Sequence, residues 1–153
     1  MNVRFLSSLP LFLLALSHAV NAADLVLNEA WVTAPLTQNS SGVAAFAVIS
    51  NISQKQIAIV GASSDYAEKV QIHRIEHQQG VVKMKPVPSI NIPPNQQVTL
   101  NQDGLHLMLM GLQNMPWDAK DISIQLHLDN GERLAHKFEI RGLNYKAESH
   151  HHH

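Results

Sequence analysis

Residues 122–140 read Ile122-Ser123-Ile124-Gln125-Leu126-His127-Leu128-Asp129-Asn130-Gly131-Glu132-Arg133-Leu134-Ala135-His136-Lys137-Phe138-Glu139-Ile140. Apolar side chains occupy alternate positions of Ile122–Leu128, the period of a strand with one buried face. Asn130-Gly131 then supplies the strongest hairpin signal in the chain, because these two residues tolerate the left-handed backbone of a tight turn. Arg133–Ile140 returns as the second strand. His127 shares a face with Ser123, Gln125 and Asp129 and is expected to be solvated. His136 shares parity with Leu134, Phe138 and Ile140 and is expected to be half-buried and hydrogen-bonded.

Moving outward, the same β signal recurs. Ala44-Ala45-Phe46-Ala47-Val48-Ile49 is a continuous apolar run, as in a strand buried on both faces. Ile57–Val60, Lys69–Ile75 and Val81–Met84 follow, the last two joined by a turn at Gln79-Gly80. Pro86, Pro88, Pro93 and Pro94 limit Ser89–Ile92 to a short edge strand. Gln97–Leu100 and Leu105–Met110 complete the set, and Trp31 is read as the anchor of a first strand. No window of a dozen residues carries a helical period. Eight or nine short strands with frequent turn signals predict an all-β single domain, a β-sandwich or Greek-key barrel.

Composition bounds the rest. Residues 1–22 read as a secretory signal peptide, with Arg4 ahead of the apolar run Leu9–Leu16 and Val20-Asn21-Ala22 as the cleavage site. That run is too short to span a bilayer, so no membrane insertion is expected. Removing 22 of the 153 residues leaves 131, with 10 basic against 12 acidic side chains. Such a balance, without basic clusters, argues against nucleic acid and anionic membrane as partners. The chain has no cysteine, so disulfides and a cysteine-linked lipid anchor are not expected of an exported protein that often would have them. Residues 23–145 are read as the β domain and 146–153 as a flexible tail ending in His150–His153, either a tag remnant or a native tract able to hold Cu(II).

Leu105-His106-Leu107-Met108-Leu109-Met110 carries the chemistry. Alternation puts the three leucines on one face and His106, Met108 and Met110 on the other. His73 and Met84 form a second imidazole–thioether pair, on two strands joined near Gly80. Two imidazoles and two thioethers are neutral, soft-to-borderline donors that suit Cu(I), not Mg²⁺ or Ca²⁺. Zinc favours thiolate, imidazole and carboxylate, so the methionines argue against it. A thioether also survives an oxidising compartment without forming a disulfide.

The spacing His73-x10-Met84-x21-His106-x-Met108 resembles the signature of the periplasmic PCuAC copper chaperones, the DUF461 family. Family-like stretches include Glu29-Ala30-Trp31-Val32, Gly61-Ala62-Ser63-Ser64, Val70-Gln71-Ile72-His73, Met84-Lys85-Pro86-Val87, Ile92-Pro93 and Gly104–Leu112. The resemblance implies a cupredoxin-like fold that binds one Cu(I) through His73, Met84, His106 and Met108 near the surface. It implies a monomeric periplasmic carrier, not an enzyme, that supplies the CuA centre of cytochrome c oxidase subunit II, often beside a Sco-type protein. Arg74 departs from the pattern, as many relatives have Met or Glu there. Gln113-Asn114-Met115-Pro116-Trp117 replaces a charged turn.

Two other classes of function compete. A blue-copper electron carrier needs a cysteine ligand, and a Cu/Zn dismutase-like enzyme needs more clustered histidines. A metal-free adhesion or assembly module would use the same β-sandwich without copper. Met110 is read as packing beside the site, Met115 as loop packing or a cap over the metal, and His77 as an auxiliary ligand candidate.

Overall fold

A computed structural model of the chain describes residues 24–37, 40–116 and 119–142. Residues 1–22, expected to be a signal peptide, together with Trp117 and the histidine tail, lie outside the described residues. The strands are β1 (Leu25–Thr33), β2 (Gly42–Asn51), β3 (Ile57–Ser63), β4 (Ala67–Gln78), β5 (Val81–Pro86), β6 (Ile90–Ile92), β7 (Gln97–Leu100), β8 (Leu105–Leu112), β9 (Asp121–Leu128) and β10 (Arg133–Arg141). Among the described residues, no helix is long and apolar enough to cross a membrane.

Seven strands close into a barrel in the order β4-β8-β2-β1-β10-β9-β3, and the Ala62–Val70 pairing of β3 with β4 completes the ring. Neighbours are antiparallel except β1 and β10, which run parallel. The all-β single domain expected from the alternation is therefore present, as a closed barrel. Closure removes the unpaired edges that an open sheet would offer to other chains.

Three short strands sit off the ring. β6 is an edge strand on β3, as its flanking prolines require, and β7 continues along the edge of β2 beyond β8. β5 matters most. It pairs with β4 only from His73 to Gln78, beyond the point where β3 leaves that edge. Past His73, then, β4 and β5 leave the barrel wall as a two-stranded ribbon, while β8 still lines the other edge of β4 as far as Arg74. All six residues of β5 are exposed.

The turns explain the registers. Gln79 and Gly80 both have positive φ, 51° and 77°, which is the two-residue turn whose twist matches a hairpin. It fixes Gln78 opposite Val81, and so Ile75 opposite Met84 and His73 opposite Pro86. At Asn130-Gly131 only Gly131 is left-handed, at φ 88°, and the loop spans three residues closed by a bond from the Leu128 amide to the Glu132 carbonyl. The expected hairpin forms, through the longer of the common loops.

Inside the barrel the alternation becomes packing. Ile122, Ile124, Leu126 and Leu128 face Phe138, Ile49, Leu107 and Leu109 in one buried cluster. Each such side chain contributes roughly 1.5–3 kcal/mol by leaving water. Asn51 is buried with 1% exposure. Its amide donates to the carbonyls of Lys55, Ile92 and Pro93, and its oxygen accepts from the Ser53 amide and hydroxyl. One polar side chain thus ties the β2–β3 turn to the end of β6.

On the outside of β2, Phe46 is also buried, beneath Trp31 at 4.6 Å between ring centroids. This explains why the Ala44–Ile49 run is apolar on both parities. His127 departs from its solvated expectation: it is half-buried, with Nε2 2.9 Å from Ser63 Oγ and 3.1 Å from Arg133 Nη1. His136 is half-buried, edge-on to Phe138.

Candidate metal centre

Residues directly opposite on antiparallel strands share a face. Three such pairs decide the layout: His73 with His106, Gln71 with Met108, and Ile75 with Met84. Residues two apart on one strand also share a face. His73, His106, Met108 and Met84 therefore all stand on the outer face of the β5-β4-β8 sheet, opposite the core side chains Ile72, Leu107 and Leu109.

They are not held equally. The rings of His73 and His106 meet edge-on, 5.8 Å apart between centroids. They retain only 9% and 2% exposure, although they lie outside the core. Phe46 covers His106 from the β2 side, at 6.3 Å. Met108 is half-buried on the same strand as His106, and a Cβ built on Gly42 would lie 2.9 Å from its terminal methyl. Gly42 pairs with Met110 while Ala44 pairs with Met108, so that methyl leans away from His106. Met84, on the ribbon, is 50% exposed and a diagonal neighbour of His73. Two imidazoles are in contact, one thioether stands beside them, and one thioether sits at the rim.

Polar satisfaction singles out the histidine pair. Nδ1 of His106 lies 3.2 Å from the Gly104 carbonyl oxygen, and Nε2 of His73 lies 3.3 Å from Gln71 Oε1. The remaining ring nitrogens, His73 Nδ1 and His106 Nε2, are buried without a hydrogen-bond partner among the described residues. An unpaired buried polar atom costs about 1–3 kcal/mol. Two of them in touching rings form a donor set that an ion would satisfy. Burial, then the charge of His106 and of Lys69, lowers the pKa of His73 below its ordinary value, which favours the neutral form that binds metal. Among the described residues no three His, Asp or Glu side chains are grouped to hold an ion, so the available set is two imidazoles with thioethers.

The other candidates fall away from this point. His77 is exposed on the ribbon, opposite Val82. Met110 is half-buried beyond Met108, opposite Lys69. Met115 is 7% exposed within the core cluster, so its side chain packs the barrel interior. Reading the sequence missed Gln71, the Gly104 carbonyl and Phe46. Gln71 was within reach, since period two places it on the face of His73; Phe46 required knowing that β2 lies beside β8. A cleft of about 340 Å³ opens on the far side of Phe46, lined by Glu29, Trp31, Asn101 and Asp103 among others, and neither histidine lines it.

The sequence profile described as "Putative lipoprotein LpqE-like" matches residues 25–140. The chain belongs to the LpqE-like family. A relative, the putative lipoprotein Lxx21020 of Leifsonia xyli subsp. xyli (strain CTCB07), is 31% identical over 106 residues, 69% of this chain. The chain spans 62% of that relative's length. Among solved structures, the copper-bound PCuAC domain from PmoF2 has a TM-score of 0.65 at 17% identity, covering 82% of this chain and 98% of that domain. Apo-DR1885 from Deinococcus radiodurans has a TM-score of 0.59 at 26% identity over 93% of each chain. Its CuI form reaches 0.57 at 28% identity, over 75% of this chain and 78% of that one. This LpqE-like chain therefore has the fold of PCuAC domains.

Proposed function

We propose that this protein is a copper carrier that holds one Cu(I) through His73, His106, Met108 and Met84. The observation that carries the reading is the pair of cross-strand imidazoles, each with one buried nitrogen left unpartnered, flanked by thioethers on the same face. Similarity to a copper-bound PCuAC domain and to CuI-DR1885 supports copper as the ion. The neutral, soft donor set favours the reduced ion.

The unequal anchoring suits a carrier. His106 is locked between Phe46 and the Gly104 carbonyl, whereas Met84 rides on an exposed ribbon and Met108 must swing off Gly42 to engage. Copper enters and leaves by exchanging the thioethers for a partner's ligands, while the imidazoles retain it. With copper as its cargo, the protein acts by binding and transfer and not as an enzyme. By its resemblance to periplasmic chaperones we assign it to the periplasm, after cleavage following Ala22. Its recipient is the CuA site of cytochrome c oxidase subunit II, with or without a Sco-type intermediary.

Competition titration with a chromogenic Cu(I) chelator tests the reading, on protein whose four tail histidines are replaced by serine. One equivalent should bind tightly, and His73→Ala with His106→Ala should weaken binding at least about 100-fold, beyond the range typical of outer-shell changes. Undiminished affinity in the double variant would refute it.

A further inference from the structure

The two histidines are restrained at opposite ring nitrogens. His106 is bonded at Nδ1 and bare at Nε2; His73 is bonded at Nε2 and bare at Nδ1. A carbonyl oxygen can only accept, so the contact with Gly104 requires the proton of His106 to sit on Nδ1. That carbonyl is itself fixed, because it also accepts from the Ile75 amide of β4 at 3.1 Å. The turn presenting it is tight: the Asn101 amide donates to the Leu105 carbonyl, and Asn101 Oδ1 accepts from the Asp103 amide. A side chain at Gly104 would press on Asn101 Oδ1 at 2.9 Å. On the other strand, Gln71 Oε1 accepts from His73 and so places that proton on Nε2.

We propose that Gln71 and the Gly104 carbonyl are positioning groups that impose opposite tautomers, so that copper is received by Nδ1 of His73 and Nε2 of His106. With a proton on either of these two nitrogens, the site would present an N–H dipole to a cation. The second clause rests on the function proposed above; the tautomers themselves belong to the metal-free protein. Fixing the free nitrogen of an imidazole through its other nitrogen is how outer-shell groups raise metal affinity. Gln71 is suited to the task because it lies one same-face step from His73 and opposite Met108, in reach of both donor types.

Long-range ¹H–¹⁵N correlation of the imidazole nitrogens in the full, metal-free chain at about pH 8 reads the tautomers directly, since neutral histidines predominate there. The expected result is an Nε2–H tautomer for His73 and an Nδ1–H tautomer for His106. Gln71→Leu should leave His73 a mixture and weaken Cu(I) binding about 10-fold, and Gln71→Glu, which keeps an acceptor oxygen, should restore both. Nδ1–H on His73, or an unchanged His73 in Gln71→Leu, would overturn the proposal whatever the copper result. Correct tautomers with no copper uptake would overturn instead the copper-receiving clause and the function it rests on. The wild-type spectrum decides the tautomers even if Gln71→Leu fails to fold.

Discussion

A buried imidazole nitrogen with no partner is a cost that the folded chain carries until something occupies the site. His106→Leu removes that nitrogen and keeps the volume roughly constant. The Gly104 carbonyl retains its bond from Ile75. The variant is therefore expected to change metal-free stability by less than about 1 kcal/mol in urea titration, while abolishing tight copper binding. A loss above about 3 kcal/mol would mean that His106 serves the fold. Acid acts on two histidines in the same direction. Burial first, then His106 and Lys69, lowers the pKa of His73; burial first, then Arg133, lowers that of His127, which also touches Ser63. Unfolded, both titrate near 6.5, so below that pH the unfolded chain binds more protons than the folded one. Metal-free stability should be full above about pH 6.5 and decline as pH falls below it. Melting curves between pH 7.5 and 5 check this; a Tm that is flat or rises in acid would contradict it, and His127→Gln should flatten part of the slope.

At the scale of elements, ribbon and turn decide which of the proposed ligands are fixed and which are loose. The Gln79-Gly80 turn sets the β4–β5 register, and with it the distance of Met84 from His73 along the ribbon. Met84→Ala is expected to weaken copper binding less than His106→Ala and to speed copper release to a chelator in stopped-flow, because Met84 is the exposed member of the proposed ligand set. Equal losses in the two variants would indicate a site closed by the ribbon in all states. Asn51 ties the β2–β3 turn to the end of β6 through its side-chain amide. Asn51→Ala should cost roughly 2–4 kcal/mol in chemical denaturation, the combined price of its lost bonds and the buried carbonyls left bare. Alternation made His106, Met108 and Met110 legible as one face, and the hairpin β9–β10 legible as a unit. The pairing of β4 with β8 was not legible. It joins residues more than thirty apart through the barrel, and no local signal names that partner. The burial of His73 depends on that pairing, and the role of Phe46 on the equally long-range pairing of β2 with β8, so both stayed hidden.

For the whole molecule, barrel closure supplies the stability that disulfides often give exported domains, since the chain has no cysteine. Phe138 is fully buried at the centre of the core. Phe138→Ala should therefore destabilise by about 3–5 kcal/mol, read as a lowered urea midpoint. The site lies on the outer face of the barrel, so core variants that still fold should keep their copper affinity. Binding to the folded state alone will also raise the melting temperature with copper concentration. These effects converge on one experiment: NMR titration of the full chain with Cu(I), following the imidazoles of His73 and His106 and the methyls of Met84 and Met108. All four side chains are expected to shift together and saturate at one equivalent. Shifts confined to His150–His153, with His73 and His106 unmoved, would contradict a copper site on this barrel.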